Sequence, residues 1–473
     1  MNDKTCECCI LGAGPAGLGV AVELVDKGLS DILVIDRNNI VGGLSRTENI
    51  DGIRFDIGPH RFFTKNRDVN KLWYDTLHDD FKPVKRLTRI YYKKKYFHYP
   101  VKPINTLFNL GIVDATCVML SYFNALIYKK SAPNNFEDWI TQKFGSKLYD
   151  VFFRAYTEKI WGIPCNKIGI EFAEQRISNL DIIQVLKAAL LGRNEIKTLI
   201  DQFHYPVLGA GQMYEVMAEK VVSKGGTVKL QSRVVAVNNN SNEIESVDVE
   251  QADGSKIRIK AKQYFSSIPI TNLFKMINPS ESNEVEESVE ALYFRDHITI
   301  NLLVDGDDLF PDQWLYVHDP TVKMARIVNY NNFSKSMVGT KNKTAISVEY
   351  FTFQHEKLWK MREDELKNLA VEELNSLGLV NRHSVEQAWV IRETECYPTY
   401  YLGYREPYEL LKGRLNQFQN LSSIGRGGMY KYNNQDHSIY SGILAARNYL
   451  KLEGSPYNLW DINNEAIYHE SGD

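Results

Sequence analysis

The chain has 473 residues, a length that calls for two or three structural units, since single cores stop growing at about 250–300 residues. Its 56 Lys+Arg against 59 Asp+Glu give a formal net charge of −3, which excludes a one-sign field for nucleic acid or an anionic membrane. An anionic ligand therefore has to be held by individual arginines. Six cysteines without a secreted spacing, and a start (MNDKTCECC) with no basic and apolar leader, give the expectation of a reducing cytoplasm and no signal peptide. Cys6, Cys8 and Cys9 fall on an apolar strand and read as small core residues rather than a metal cluster.

Residues 7–36 read as strand, glycine turn (GAGPAG), helix to about Lys27 and strand (ILVID), which is one βαβ unit. Gly12, Gly14 and Gly17 form G-x-G-x-x-G between strand and helix, where missing side chains let the backbone approach a pyrophosphate at the helix N-terminus. Asp36 ends the second strand, the position from which a carboxylate accepts the ribose hydroxyls. Gly42 and Gly43, followed by Arg46, make a second glycine turn that reaches the diphosphate from the other side. FAD, being longer than NAD, needs such a turn.

Residues 104–200 carry helical periodicity with breakers at Pro133 and Pro164. The apolar stretch from Gly111 to Tyr128 contains Asp114, Ser121 and Asn124, costly in lipid, so a buried or interfacial helix is expected rather than a membrane span. Alternating runs from Thr227 to Ile270 read as strands, with a turn at Asn238 to Asn242, and strand signals resume from 297 to 351. SSIGR at 422–426 reads as a last strand before a helix over roughly 436–452. The expected fold is α/β, α+β overall: a Rossmann-like FAD-binding domain with a helical insert and an antiparallel substrate-binding sheet. The FAD domain is discontinuous (1–103, 206–280 and 415–465), the helical domain covers 104–205 and the sheet domain 281–414.

The GG turn after the βαβ unit, with GRGGMY at 425–430, resembles the FAD-dependent amine-oxidase and protoporphyrinogen-oxidase superfamily. Within it, separated motifs over nearly the whole chain resemble UDP-galactopyranose mutase, particularly the eukaryotic type. GPHRFF at 58–63 resembles that family's Gly-Gly-His motif, with Pro59 in place of the second glycine and His60 as the flavin-adjacent histidine. FHYP at 97–100 assigns Tyr99 to uracil stacking, and Lys102 stands where the family has glutamine. FFRAYTEKIWGIP at 152–164 places Trp161 near sugar and flavin, and EFAEQRISN places Arg176 on the diphosphate. Tyr316 lies ten residues before Arg326, the family's separation for a substrate tyrosine and the second diphosphate arginine. Two guanidiniums from separate segments suit a diphosphate, each offering a planar fork of donors.

Tyr397 in CYPTY, and Tyr430 and Asn434 before Gln435, Asp436 and His437, match further substrate residues. Val235, Arg426 and Asp436 are implied as cofactor contacts. The resemblance implies a nucleotide-sugar pyranose/furanose mutase, an intramolecular transferase without net redox change, in which reduced FAD is the nucleophile at the anomeric carbon. NAD(P)H or another donor would reduce it. The implied setting is cytoplasmic furanose biosynthesis for cell-surface polysaccharide; no protein general base is assigned, and a homo-oligomer is left open. Two alternatives stand beside this one. One is an FAD oxidase or desaturase of the protoporphyrinogen-oxidase type, and the other is a flavin-free binding protein with the GDP-dissociation-inhibitor fold.

Overall fold

The computed structural model describes residues 2–99, 103–127, 132–171, 202–278, 281–307 and 309–463. Strand β1 (Asn2–Leu11) leads through the glycine turn into helix α1 (Pro15–Asp26) and strand β2 (Ile32–Ile35). β1 pairs in parallel with β2 on one side and with the strand Lys256–Ser266 on the other. Because side chains alternate along a strand, β1 serves two cores. Cys8 and Ile10 pack with α1, while Cys9 and Leu11 pack on the opposite face with residues such as Tyr264 and Tyr430; Cys6 also joins that second core, which alternation alone does not explain. The three cysteines are core residues.

The sheet around β1 has eight strands and takes in the hairpin Ser232–Asn239/Ile244–Gln251, which turns at the expected NNNSN segment, and the short strand Leu421–Ser423. α1 crosses the helix Gln435–Tyr449 in backbone contact: a Cβ on Gly442 would lie 2.1 Å from Ala16 O, so glycine is what permits the approach.

The second sheet has seven strands, in the order Val385–Pro398, Phe294–Asp305, Lys343–Thr352, Arg326–Asn329, Trp314–Val317, Thr88–Tyr92 and Lys95–His98. All neighbours are antiparallel except Trp314–Val317 against Thr88–Tyr92, which run parallel. Two members differ from the sequence reading. The hairpin 88–98 lies in this sheet although its residues were expected in the nucleotide domain, and the 14-residue strand Val385–Pro398 had no clear sequence signal.

Helices fill the insert, from Pro103–Leu110 and Ile112–Ile127 to Ala155–Trp161. Ile112–Ile127 is not the buried helix that its composition suggested: Tyr122 is its one buried residue, and Ile112 is 87% exposed. Among the described residues no helix is long and apolar enough to cross a membrane.

Candidate active site

The βαβ glycine turn, the GG turn and the second sheet enclose a cavity of about 600 Å³. Asp36, at the end of β2, accepts hydrogen bonds from the Ala13 amide (2.7 Å) and the Asn38 amide (2.8 Å), which ties the first glycine turn to the strand end. Burial raises its pKa despite those amides. The two glycine turns meet directly at the cavity wall. Gly42 N donates to Ala13 O at 2.8 Å, and a Cβ on Gly43 would lie 3.2 Å from Gly14 Cα.

Gly14 is the N-cap of α1 and Asn434 that of Gln435–Tyr449, and both line the cavity, so two positive helix ends border it. Asp436, in the first turn of the second helix, also lines it. Its buried Oδ1 has no hydrogen-bond partner, with His437 Nδ1 at 3.6 Å. A side-chain-free cradle between helix N-termini, flanked by carboxylate acceptors, fits the diphosphate and hydroxyls of a dinucleotide. Gly12, Gly14, Gly43, Asp36, Arg426 and Asp436 would hold it.

Three expected cofactor residues act from behind this surface. The Arg46 guanidinium is committed to Glu48 (2.6 Å), Gly43 O (3.1 Å) and Glu393, so it braces the GG turn. Gly17 serves packing, since a Cβ there would lie 1.8 Å from Gly12 O. Val235 sits in an irregularity of the strand Ser232–Asn239, and it is Val234 that lines the cavity.

His60 Nε2 lies 2.8 Å from Leu44 O and 2.9 Å from Ile57 O. Two acceptors require an N–H, so the neutral ring carries its proton on Nε2. Burial, with the Arg426 charge as a second cause, pushes its pKa down to about 4 from 6.5. Stability contributed by neutral His60 is thus present above pH 6.5 and drains as the pH falls through about 4. His60→Gln, which keeps an N–H donor, is expected to flatten the acid side of a melting-temperature profile between pH 4 and 7; parallel wild-type and variant curves would contradict this burial.

Arg326 and Tyr316 are direct cross-strand partners, as are Arg326 and Glu349 on the other side. Cross-strand partners share a face, which brings tyrosine, arginine and glutamate into one row although they are distant in sequence. Arg326 Nε donates to Glu349 Oε2 at 2.6 Å, and Nη2 reaches the Tyr397 hydroxyl at 3.4 Å. Burial works against both charges, but the pairing prevails: Arg326 is held protonated and Glu349 is held down to about 2. Tyr99 packs edge-on against Tyr316 (centroids 5.0 Å), outside the cavity lining.

Arg426 donates to Asn433 O (2.8 Å) and lies over the rings of Tyr397 (4.9 Å) and Tyr432 (5.1 Å). Tyr432 lines the cavity and stacks on Tyr397 at 5.3 Å. Tyr430 does not reach it. It is 1% exposed, with positive φ, and its hydroxyl donates towards Tyr293 O and Thr399 O, so Tyr430, expected among the substrate residues, is packed behind the wall and Tyr432 lines the cavity in its place. Trp161 is buried against Tyr400 and Tyr432, one layer behind the cavity. Arg176 and Lys102 lie outside the described residues. The sequence reading did not single out Glu349, which holds Arg326 from behind, or Glu393 and Tyr432, which line the cavity.

A family model for an NAD(P)-binding Rossmann-like domain matches residues 10–76. A Klebsiella pneumoniae protein named "Probable UDP-galactopyranose mutase" is 30% identical over 177 residues, 36% of this chain and 44% of that protein, so the match spans less than half of that relative. Among solved structures, a reduced UDP-galactopyranose mutase superposes with a TM-score of 0.85 at 22% identity over 98% of each chain. An Exiguobacterium sp. 255-15 protein assigned as a protoporphyrinogen oxidase gives 0.69 at 14% identity, over 93% of this chain and 98% of that one. The chain therefore has the fold of UDP-galactopyranose mutase and carries a Rossmann-like NAD(P)-binding domain near its N-terminus.

Proposed function

We propose that the chain is an FAD-dependent pyranose/furanose mutase acting on a nucleoside-diphosphate sugar. The observation that carries the reading is the cross-strand pair of Tyr316 and Arg326 on the same cavity as the glycine cradle and His60, with Glu349 and Tyr397 bonded to Arg326 from outside the lining. Arg326, aligned from behind by Glu349, holds the diphosphate, and Arg176 is proposed as its second clamp. Tyr397, whose pKa burial raises, stays a hydroxyl donor, so it can stabilise negative charge that grows on the leaving diphosphate. Tyr316 and Tyr432 wall the sugar and nucleotide between aromatic faces, with Trp161 behind them. His60 keeps its Nε2 proton on two carbonyls, which leaves it to shape the cavity rather than to transfer that proton.

The cradle of Gly12, Gly14, Gly43 and Asp36 would hold FAD, which when bound and reduced would supply a nucleophilic nitrogen for the anomeric carbon with no net redox change. The protein contributes position, charge stabilisation and exclusion of water. The fold is shared with oxidase relatives, so the test has to separate the two chemistries. Anaerobic, dithionite-reduced protein is expected to convert one member of a nucleotide-sugar panel to its furanose form by NMR, without stoichiometric use of reductant. Consumption of one oxygen per product would replace this reading with the oxidase.

A further inference from the structure

Tyr316 and Arg326 sit at the two ends of one loop, residues 317–325, and the geometry of that loop fixes where both point. Lys159, on the helix Ala155–Trp161, is a partly buried cation with main-chain partners. Its ammonium donates to Val317 O (3.0 Å), Asp319 O (2.7 Å) and Met324 O (3.0 Å), carbonyls from both limbs of the loop. From another element, Glu373 on the helix Glu363–Leu377 accepts from Lys323 N (2.6 Å) and Met324 N (3.0 Å) and from the Tyr350 hydroxyl (3.0 Å). His318, at the start of the loop, stacks on Tyr156, one helical turn before Lys159, with centroids 4.6 Å apart and planes at 11°.

A cation that gathers carbonyls and an anion that gathers amides of the same short loop tie its two limbs to two separate helices. Neither residue lines the cavity. Withdrawing such charges from water is costly, and apolar residues of like volume would pack as well, so what the charges add is definition of the loop. We propose that Lys159, together with Glu373, is a positioning residue that holds Arg326 and Tyr316 in cross-strand register for the diphosphate of the substrate. The binding role rests on the function proposed above.

The test uses the FAD-loaded protein with UDP as probe. Lys159→Met is expected to speed hydrogen exchange of the peptide covering 317–325 at least tenfold and to raise the UDP dissociation constant at least fivefold, with flavin content unchanged. Combined with Arg326→Ala it adds no further loss of affinity, because it acts through Arg326. Glu373→Gln, which keeps one acceptor, moves both readings in the same direction by less and carries the test if Lys159→Met fails to fold. Wild-type exchange in both variants, or a double variant whose losses multiply, overturns the proposal. Arg326→Ala alone separates the failures: no loss of affinity there refutes the diphosphate reading and the clamp's purpose with it. A loss there with none in Lys159→Met or Glu373→Gln refutes the clamp only.

Discussion

Arg326→Ala is expected to weaken nucleoside-diphosphate binding by about 10- to 150-fold, the equivalent of about 1.5–3 kcal/mol for a charge-assisted hydrogen bond. Turnover falls with it, because charge on the leaving diphosphate grows in the transition state. Arg326→Lys rescues little, since one ammonium cannot hold Glu349, reach Tyr397 and also offer a fork to phosphate. The alanine variant also leaves the fully buried Glu349 with His297 Nε2, at 3.3 Å, in place of its guanidinium partner. Removing one partner of a buried pair costs about 3–5 kcal/mol, so the melting temperature should drop as well. Glu349→Gln added to Arg326→Ala recovers part of that stability and none of the affinity, which distinguishes lost binding from lost folding.

The same pair gives a pH signature. Glu349 has a folded pKa depressed from 4.5 to about 2, so its stabilisation is present above pH 4.5 and is lost as the pH falls through about 2. Glu349→Gln abolishes that window. Calorimetry with UDP, steady-state kinetics on the reduced protein and melting curves supply the measurements. Wild-type affinity and turnover in both Arg326 variants would remove this residue from the site.

What was legible in the sequence was local. The glycine turn, its strand and helix, and Asp36 at the next strand end are fixed by spacing within a few dozen residues, and the structure places them on one cavity. Tyr316 and Arg326 were paired through the resemblance to a family with the same separation, and the antiparallel register explains why ten residues put them on one face. Glu349 could not be found that way. It reaches Arg326 through a neighbouring strand, and register between distant strands has no sequence spacing to read. Val385–Pro398 was hidden by Glu386, Arg392, Glu393 and Glu395, charges that break an apolar alternation; two of these glutamates turn out to line the cavity.

Tyr430 was misassigned for a related reason. The match to the resembling family's segment selects it, but the positive φ at Tyr430 turns the chain, burying this ring and bringing Tyr432 to the cavity. The hairpin 88–98 joins the second sheet by a parallel pairing with Trp314–Val317, a long-range match that local composition does not encode.

The glycines of the first turn divide into two kinds, and substituting them should separate folding from cofactor binding. A Cβ on Gly17 would lie 1.8 Å from Gly12 O and 3.2 Å from Ile10 Cγ2, both in the packed joint between α1 and β1. Gly17→Ala therefore forces helix and strand apart, and overpacking of this kind costs about 1–3 kcal/mol or more. Gly14 is different. Its φ of −81° suits any residue, and a Cβ would meet Gly43 Cα at an ordinary 3.7 Å. Gly14→Ala should leave the apo-protein's melting temperature unchanged while adding a methyl group to the cavity wall where the two glycine turns meet, at the helix N-terminus that a diphosphate has to approach. Flavin affinity is expected to fall at least tenfold on that ground, and Gly14→Val should retain less still. The measurements are the flavin-to-protein absorbance ratio after dialysis, FAD titration of the apo-protein by fluorescence, and apo-protein melting curves. A Gly14→Ala protein that keeps its full flavin complement and wild-type affinity would move the diphosphate away from this cradle, and a Gly17→Ala protein that melts normally would show that the helix is free to shift.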